Sequence, residues 1–115
     1  MAQYKHYKKA LSLIQEQKFD EALELYNLAL EAQPDDPDIL NDRGVCFFHL
    51  KKMSLALQDL TRAVELQPDY SYRYSARAFV KGVIRDTEGA ISDYEMAVKL
   101  DPKDEVAHNN LGMLH

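Results

Sequence analysis

Apolar residues in this chain recur at helical rather than strand spacing. In DEALELYNLALEAQPD, residues 20–35, Ala22, Leu23, Tyr26, Ala29 and Leu30 trace the i, i+3, i+4, i+7, i+8 stripe of an amphipathic helix. Glu21, Glu24 and Asn27 fall on the opposite face. The stripe returns as Leu57, Leu60, Val64 and as Ile91, Tyr94, Val98, and each copy runs into a proline: Pro34, Pro68 or Pro102. Proline lacks a backbone donor and disfavours helical geometry in the residue before it, so each proline predicts a helix end. Upstream lies a second amphipathic stretch in every copy, over 3–16, 37–50 and 71–84, with a partial one over 104–115. Short polar joints, EQKFD and KKMS, connect the two, and joints this brief predict antiparallel helix pairs. Asp20 and Ser54 are the expected N-caps of the second helices, because their side-chain oxygens can accept from unpaired amides of a first turn.

The prolines stand 34 residues apart in both intervals. Other columns keep the same period: Ala22, Ala56, Ala90; Ala29, Ala63, Ala97; and the small series Ala10, Gly44, Ala78, Gly112. Several columns in phase over almost the whole chain define an internal repeat. The small residues are the expected points of close backbone approach between paired helices.

These residues resemble the tetratricopeptide repeat. Its pattern of bulky, small, aromatic, alanine, aromatic, alanine and proline positions reads Leu40, Gly44, Phe47, Ala56, Leu60, Ala63, Pro68 in one copy and Tyr74, Ala78, Ala90, Tyr94, Ala97, Pro102 in the next. The resemblance spans 3–36, 37–70 and 71–104, and HNNLGMLH opens a fourth copy within 105–115. Two departures stand out. Lys81 replaces an aromatic, and the glycine usual between the helices is absent, with Gln17, Lys51 and Arg85 near that place. The resemblance implies an all-α fold: a right-handed superhelical stack of antiparallel helix pairs, three repeats plus a terminal helix, with the first helices lining a concave peptide-binding surface. Carried over position by position, that surface comprises Tyr4, Tyr7, Lys8 and Leu11; Asn41, Asp42, Val45, Phe48 and His49; Tyr72, Ser75, Ala76 and Phe79; and Asn109, Asn110 and Met113. One branch of the family grips the carboxylate tails of heat-shock chaperones with Lys, Asn and Arg. Here Tyr7, Leu11, Asp42, Tyr72 and Ala76 occupy the matching places, so the cationic clamp is missing and Asp42 opposes a carboxylate.

One column is unexpectedly polar. Lys9, Arg43, Arg77 and Leu111 precede the small residues, and a column on the second helices reads Leu25, Asp59, Asp93. Arginine and aspartate occur together at a separation of 16 in two repeats, which favours Arg43 with Asp59 and Arg77 with Asp93 over the crossed pair Asp59 with Arg77.

Composition narrows the function. A net charge of -5 over 115 residues argues against a general nucleic-acid or anionic-membrane binder. The basic KHYKK at 5–9 reads as a solvated helix face. A single cysteine, Cys46 between Val45 and Phe47, excludes an internal disulfide and suits a reducing, cytoplasmic setting. The N-terminus is too broken by charge for a signal peptide, and no apolar run approaches membrane-spanning length. No nucleophile–base–acid set, phosphate loop or metal-ligand cluster is visible, and His6 and His108 belong three repeats apart, so neither catalysis nor a cofactor is expected. The expectation is a non-enzymatic scaffold for a protein or peptide. Its alternatives are a self-assembly unit or a regulatory piece of a larger protein. The terminal helix reads either as a polar cap or as the opening of a further repeat; Val106, Leu111 and Leu114 are expected to pack on the third repeat, leaving Met113 as a point for self-association.

Overall fold

A computed structural model describes residues 2–114, with side chains from residue 5 onward. Among these described residues are seven α-helices: α1 (Ala2–Gln15), α2 (Phe19–Ala32), α3 (Pro37–His49), α4 (Met53–Leu66), α5 (Ser71–Val83), α6 (Thr87–Leu100) and α7 (Glu105–Leu114). Each helix packs on the next in chain order, and α3 also touches α5 directly. No pair of second helices packs comparably among the described residues. The odd-numbered helices therefore form the shorter, inner layer of a curved stack, and the even-numbered ones the outer layer. The result is a solenoid of helix pairs measuring 43 × 26 × 21 Å.

Small residues make the close packing possible. Ala10, Ala22, Ala56, Ala78 and Ala90 are completely buried. At Gly44 a Cβ would lie 2.9 Å from Leu60 Cγ and 3.2 Å from the Ala56 carbonyl, so α3 and α4 approach too closely for a side chain there. Gly112 departs from its column: a Cβ there would meet nothing within 4 Å, because no second helix packs on α7 among the described residues. Around these contacts the core runs along the stack, from Tyr26, Leu30, Ile39 and Leu40 through Phe47, Leu60 and Val80 to Tyr94 and Ala107.

The joints inside each pair share one geometry. The Lys18, Lys52 and Asp86 amides donate back to the carbonyls of Leu13, Phe47 and Lys81 at 2.8, 2.9 and 2.8 Å. That closure needs a left-handed residue just before, and Gln17, Lys51 and Arg85 take it with φ of 61°, 63° and 69°. The turn is so tight that α2 and α4 begin at Phe19 and Met53, which corrects the expected caps. Asp20 and Ser54 sit inside the first turn, while Lys18 and Lys52 hold the N-cap positions without a side-chain bond. Side-chain caps occur instead at Asp36, accepting from the amides of Asp38 (2.9 Å) and Ile39 (3.3 Å), at Asp86, and at Asp104.

A forked ion pair recurs with the repeat. Arg43 Nε and Nη2 donate to Asp59 at 2.7 and 2.8 Å, and Arg77 donates likewise to Asp93, both bonds 2.7 Å. The third nitrogen of each arginine reaches the preceding repeat, Arg43 Nη1 to Asn27 Oδ1 at 2.9 Å and Arg77 Nη1 to Thr61 Oγ1 at 3.5 Å. Lys81, the residue standing where an aromatic was expected, places its Nζ 3.1 Å from Asp93. The corresponding Phe47 instead lies under the Arg43 guanidinium, 5.5 Å from ring centroid to Cζ.

Candidate functional site

Because the first helices pack side by side, residues 34 apart line up in rows across the inner face. One row is apolar: Leu11, Val45, Phe79 and Met113. Three of the four are open to solvent, at 38%, 52% and 83% for Leu11, Phe79 and Met113. Phe48 meets Phe79 edge-on across α3 and α5, with centroids 5.5 Å apart. Beyond Phe79 the row opens into a cleft of about 240 Å³ between α5 and α7, lined by Phe79, Gly82, Val83, Tyr94, Asn110, Met113 and Leu114. Gly82 carries no side chain to fill it, and a Cβ there would touch nothing. Asn110 Nδ2 donates to the Tyr94 hydroxyl at 3.2 Å and fixes the α6–α7 side.

The polar rows behave differently. Tyr7 donates its hydroxyl to Asp42 Oδ2 at 2.5 Å, joining α1 to α3. Burial, together with that bond, pushes the Tyr7 phenol far above its ordinary range. Burial also holds the Asp42 carboxyl above the usual carboxylate range, against the opposing effects of the Tyr7 bond and of Arg73. Arg73 is itself buried. Its Nε donates to Gln67 Oε1 at 2.8 Å, its Nη2 donates to Asp38, and its guanidinium carbon lies 4.9 Å from the Tyr70 ring centroid.

Of the residues expected on the concave surface, Tyr4 lies outside the described side chains. Tyr7, Asp42, Val45, Phe48 and Ala76 are half-buried along the inner layer, and Lys8, Leu11, Tyr72, Phe79, Asn109 and Met113 are exposed. His49 is exposed and stacks on Phe19 of α2 with centroids 4.6 Å apart, so it belongs to the rim. Asn41 is not on the surface: it is completely buried, and neither of its side-chain polar atoms completes a hydrogen bond. Ser75, one repeat further along the same row, has a buried hydroxyl without a partner. Val106 departs from its expected packing and is 67% exposed, because Ala107, fully buried, takes the inward position. Leu111 and Leu114 do pack on the third repeat. Sequence reasoning missed Gly82, Val83 and Leu114 in the cleft. It also missed Arg73, whose row holds apolar Ile39 and Ala107 in neighbouring repeats and gave no signal.

Among the described residues no group of three or more His, Cys, Asp or Glu side chains could hold a metal ion. No described helix is long and apolar enough to cross a membrane.

A family model for the tetratricopeptide repeat matches residues 9–81. The chain belongs to the tetratricopeptide repeat family. Its relatives include RNA polymerase II-associated protein 3 of Xenopus laevis, 34% identical over 94 residues, which cover 82% of this chain and 14% of that protein. Hsc70-interacting protein 1 of Drosophila melanogaster is 36% identical over 96 residues, 84% of this chain and 26% of that one. The chain thus spans 14% to 26% of the length of these relatives. Among solved structures, the first tetratricopeptide domain of Spaghetti (RPAP3), bound to the HSP90 peptide SRMEEVD, superimposes with a TM-score of 0.92 at 29% identity, covering 98% of this chain and 90% of that one.

Proposed function

We propose that this chain is a non-enzymatic binding module that holds a segment of a partner protein along the inner face of its stack. The carrying observation is the solvent-exposed apolar row Leu11, Phe79, Met113 leading into the α5–α7 cleft. Folding has left large side chains uncovered in a line, on the one surface that the curvature makes concave. An exposed apolar row rimmed by polar residues marks an interaction surface, and rings supply contact area at low entropic cost. A cleft of about 240 Å³ is smaller than the roughly 300–1,000 Å³ of a site for a drug-sized molecule, and suits one or two side chains of a longer segment. The domain of Spaghetti bound to a peptide supports the same use of the fold.

That peptide, SRMEEVD, is acidic. In this chain the half-buried Asp42 carboxylate stands on the inner face, and the buried cation Arg73 is already engaged by Asp38 and Gln67. SRMEEVD is therefore expected to show no sub-micromolar binding in calorimetry. The module itself is tested by selecting dodecapeptides from a random library and measuring them on variants. Phe79→Ala and Met113→Ala should weaken the selected peptides, and Leu55→Ala on the outer helix α4 should not; loss on the outer variant alone would overturn the reading.

A further inference from the structure

Resting on that reading of the inner face, we propose that the Tyr7–Asn41–Asp42 cluster is the subsite for a cationic side chain, so that the groove selects a segment carrying both a lysine or arginine and an apolar residue. Two features converge there. Asp42 presents a half-buried carboxylate with one oxygen bonded by Tyr7 and no hydrogen bond from any described residue to the other. Asn41, fully buried next to it, orients its amide toward that carboxylate without reaching hydrogen-bonding geometry, and its carbonyl oxygen also lacks a partner. A buried amide left in this state costs about 1–3 kcal/mol, and natural proteins keep such groups where something else completes them. An incoming ammonium or guanidinium supplies only donors, which is what the second Asp42 oxygen lacks.

Charge sets the sign of the partner. The chain carries -5 overall, so a basic segment is drawn toward it at long range. Locally, Asp38 adds a second carboxylate, 67% exposed, one turn before Asp42, and its single ion pair uses the buried side of Arg73. An apolar residue elsewhere in the segment takes the α5–α7 cleft, which Gly82 helps to line.

The test uses the 115-residue chain and a random dodecapeptide library. Selected peptides are resynthesised with acetylated and with free N-termini, and each Lys or Arg is changed to Gln. Fluorescence polarisation is read on wild type, Asp42→Asn and Phe79→Ala, with circular dichroism reporting that each variant folds. Expected results are enrichment of basic residues, about tenfold weaker binding for the Gln peptide on wild type, and no further loss when that peptide meets Asp42→Asn. An effect confined to free N-termini would place a terminal ammonium rather than a side chain on Asp42 and overturn the side-chain assignment. Peptides that lose affinity on Phe79→Ala but are indifferent to both Gln and Asp42→Asn would sink the cation subsite while leaving the groove standing. Peptides indifferent to Phe79→Ala would sink the groove itself. The peptide-side change needs no protein variant, so a poorly folding Asp42→Asn leaves the test intact.

Discussion

The two forked ion pairs look alike but are not equally exposed to damage, and the difference gives a sharp prediction. Replacing Arg43 with Leu leaves Asp59, whose side chain is 6% exposed, with no other ion-pair cation among the described residues. Breaking a buried pair from one side costs about 3–5 kcal/mol because the stranded charge stays desolvated. Replacing Arg77 with Leu leaves Asp93 equally buried, yet Lys81 Nζ remains 3.1 Å away. At an effective dielectric constant near 20, that contact carries a gross attraction of about 5 kcal/mol, enough to offset most of the stranding. The Arg77→Leu cost should therefore fall to about 1–2 kcal/mol, despite the identical fork geometry. A difference of about 2 kcal/mol corresponds to roughly 6–10 °C in melting temperature for a chain of this size. Thermal and urea melts of both variants read it directly. Adding Lys81→Met to Arg77→Leu should remove the rescue and bring the cost to the Arg43→Leu level. The reasoning fails if Arg77→Leu is as damaging as Arg43→Leu, or if Lys81→Met adds nothing in that background.

Asp93→Ala strands both Arg77 and Lys81, so it should melt lower than the double change Arg77→Leu with Asp93→Leu; equal melts would count against a desolvation origin. Gln17→Gly, Lys51→Gly and Arg85→Gly should each stabilise by about 0.5–1 kcal/mol, since glycine accepts the left-handed turn without strain but gives back part of the gain as unfolded-state entropy. Denaturant midpoints that drop for all three would refute it. Gly44→Ala should destabilise by about 1–3 kcal/mol through overpacking against Leu60. Gly82→Ala should gain about 1 kcal/mol of helix propensity while narrowing the cleft, so melting temperature and peptide affinity should move in opposite directions. For pH, the folded Asp42 carboxyl lies above its ordinary value, so the native chain binds more protons than the unfolded one in the window between the two. Its contribution to stability is unfavourable above that window and is relieved as pH falls through it. Asp42→Asn, which keeps an acceptor for Tyr7, should raise the melting temperature at pH 7 and remove this part of the acid-side gain; a lower melt at pH 7 would contradict the sign.

The fold was legible because a repeat states its period many times over. Prolines, alanines and the small column each report the same spacing, and the helical stripe between them leaves little freedom. Helix starts were less legible. Asp20 and Ser54 carry the right chemistry for capping, but the left-handed residues at 17 and 51 turn the chain so sharply that the helices begin before those side chains arrive. The inner face was legible as rows and not as depths. Asn41 and Ser75 fall on the inner face of a helical wheel, yet their polar atoms are buried, a depth that the spacing within one repeat does not encode. Gly82 and Val83 became visible only once α7 was placed opposite them.

The arginine forks also bear on how the walls of the groove are held. Arg43 and Arg77 each tie their own repeat to the one before it, whereas the same column in α7 holds Leu111. The charged tie thus stops at the third repeat, and α7 is held on the stack by Ala107, two leucines and the Asn110–Tyr94 bond. One wall of the cleft is therefore seated by apolar contact and a neutral hydrogen bond, where the repeats before it are also joined by charge.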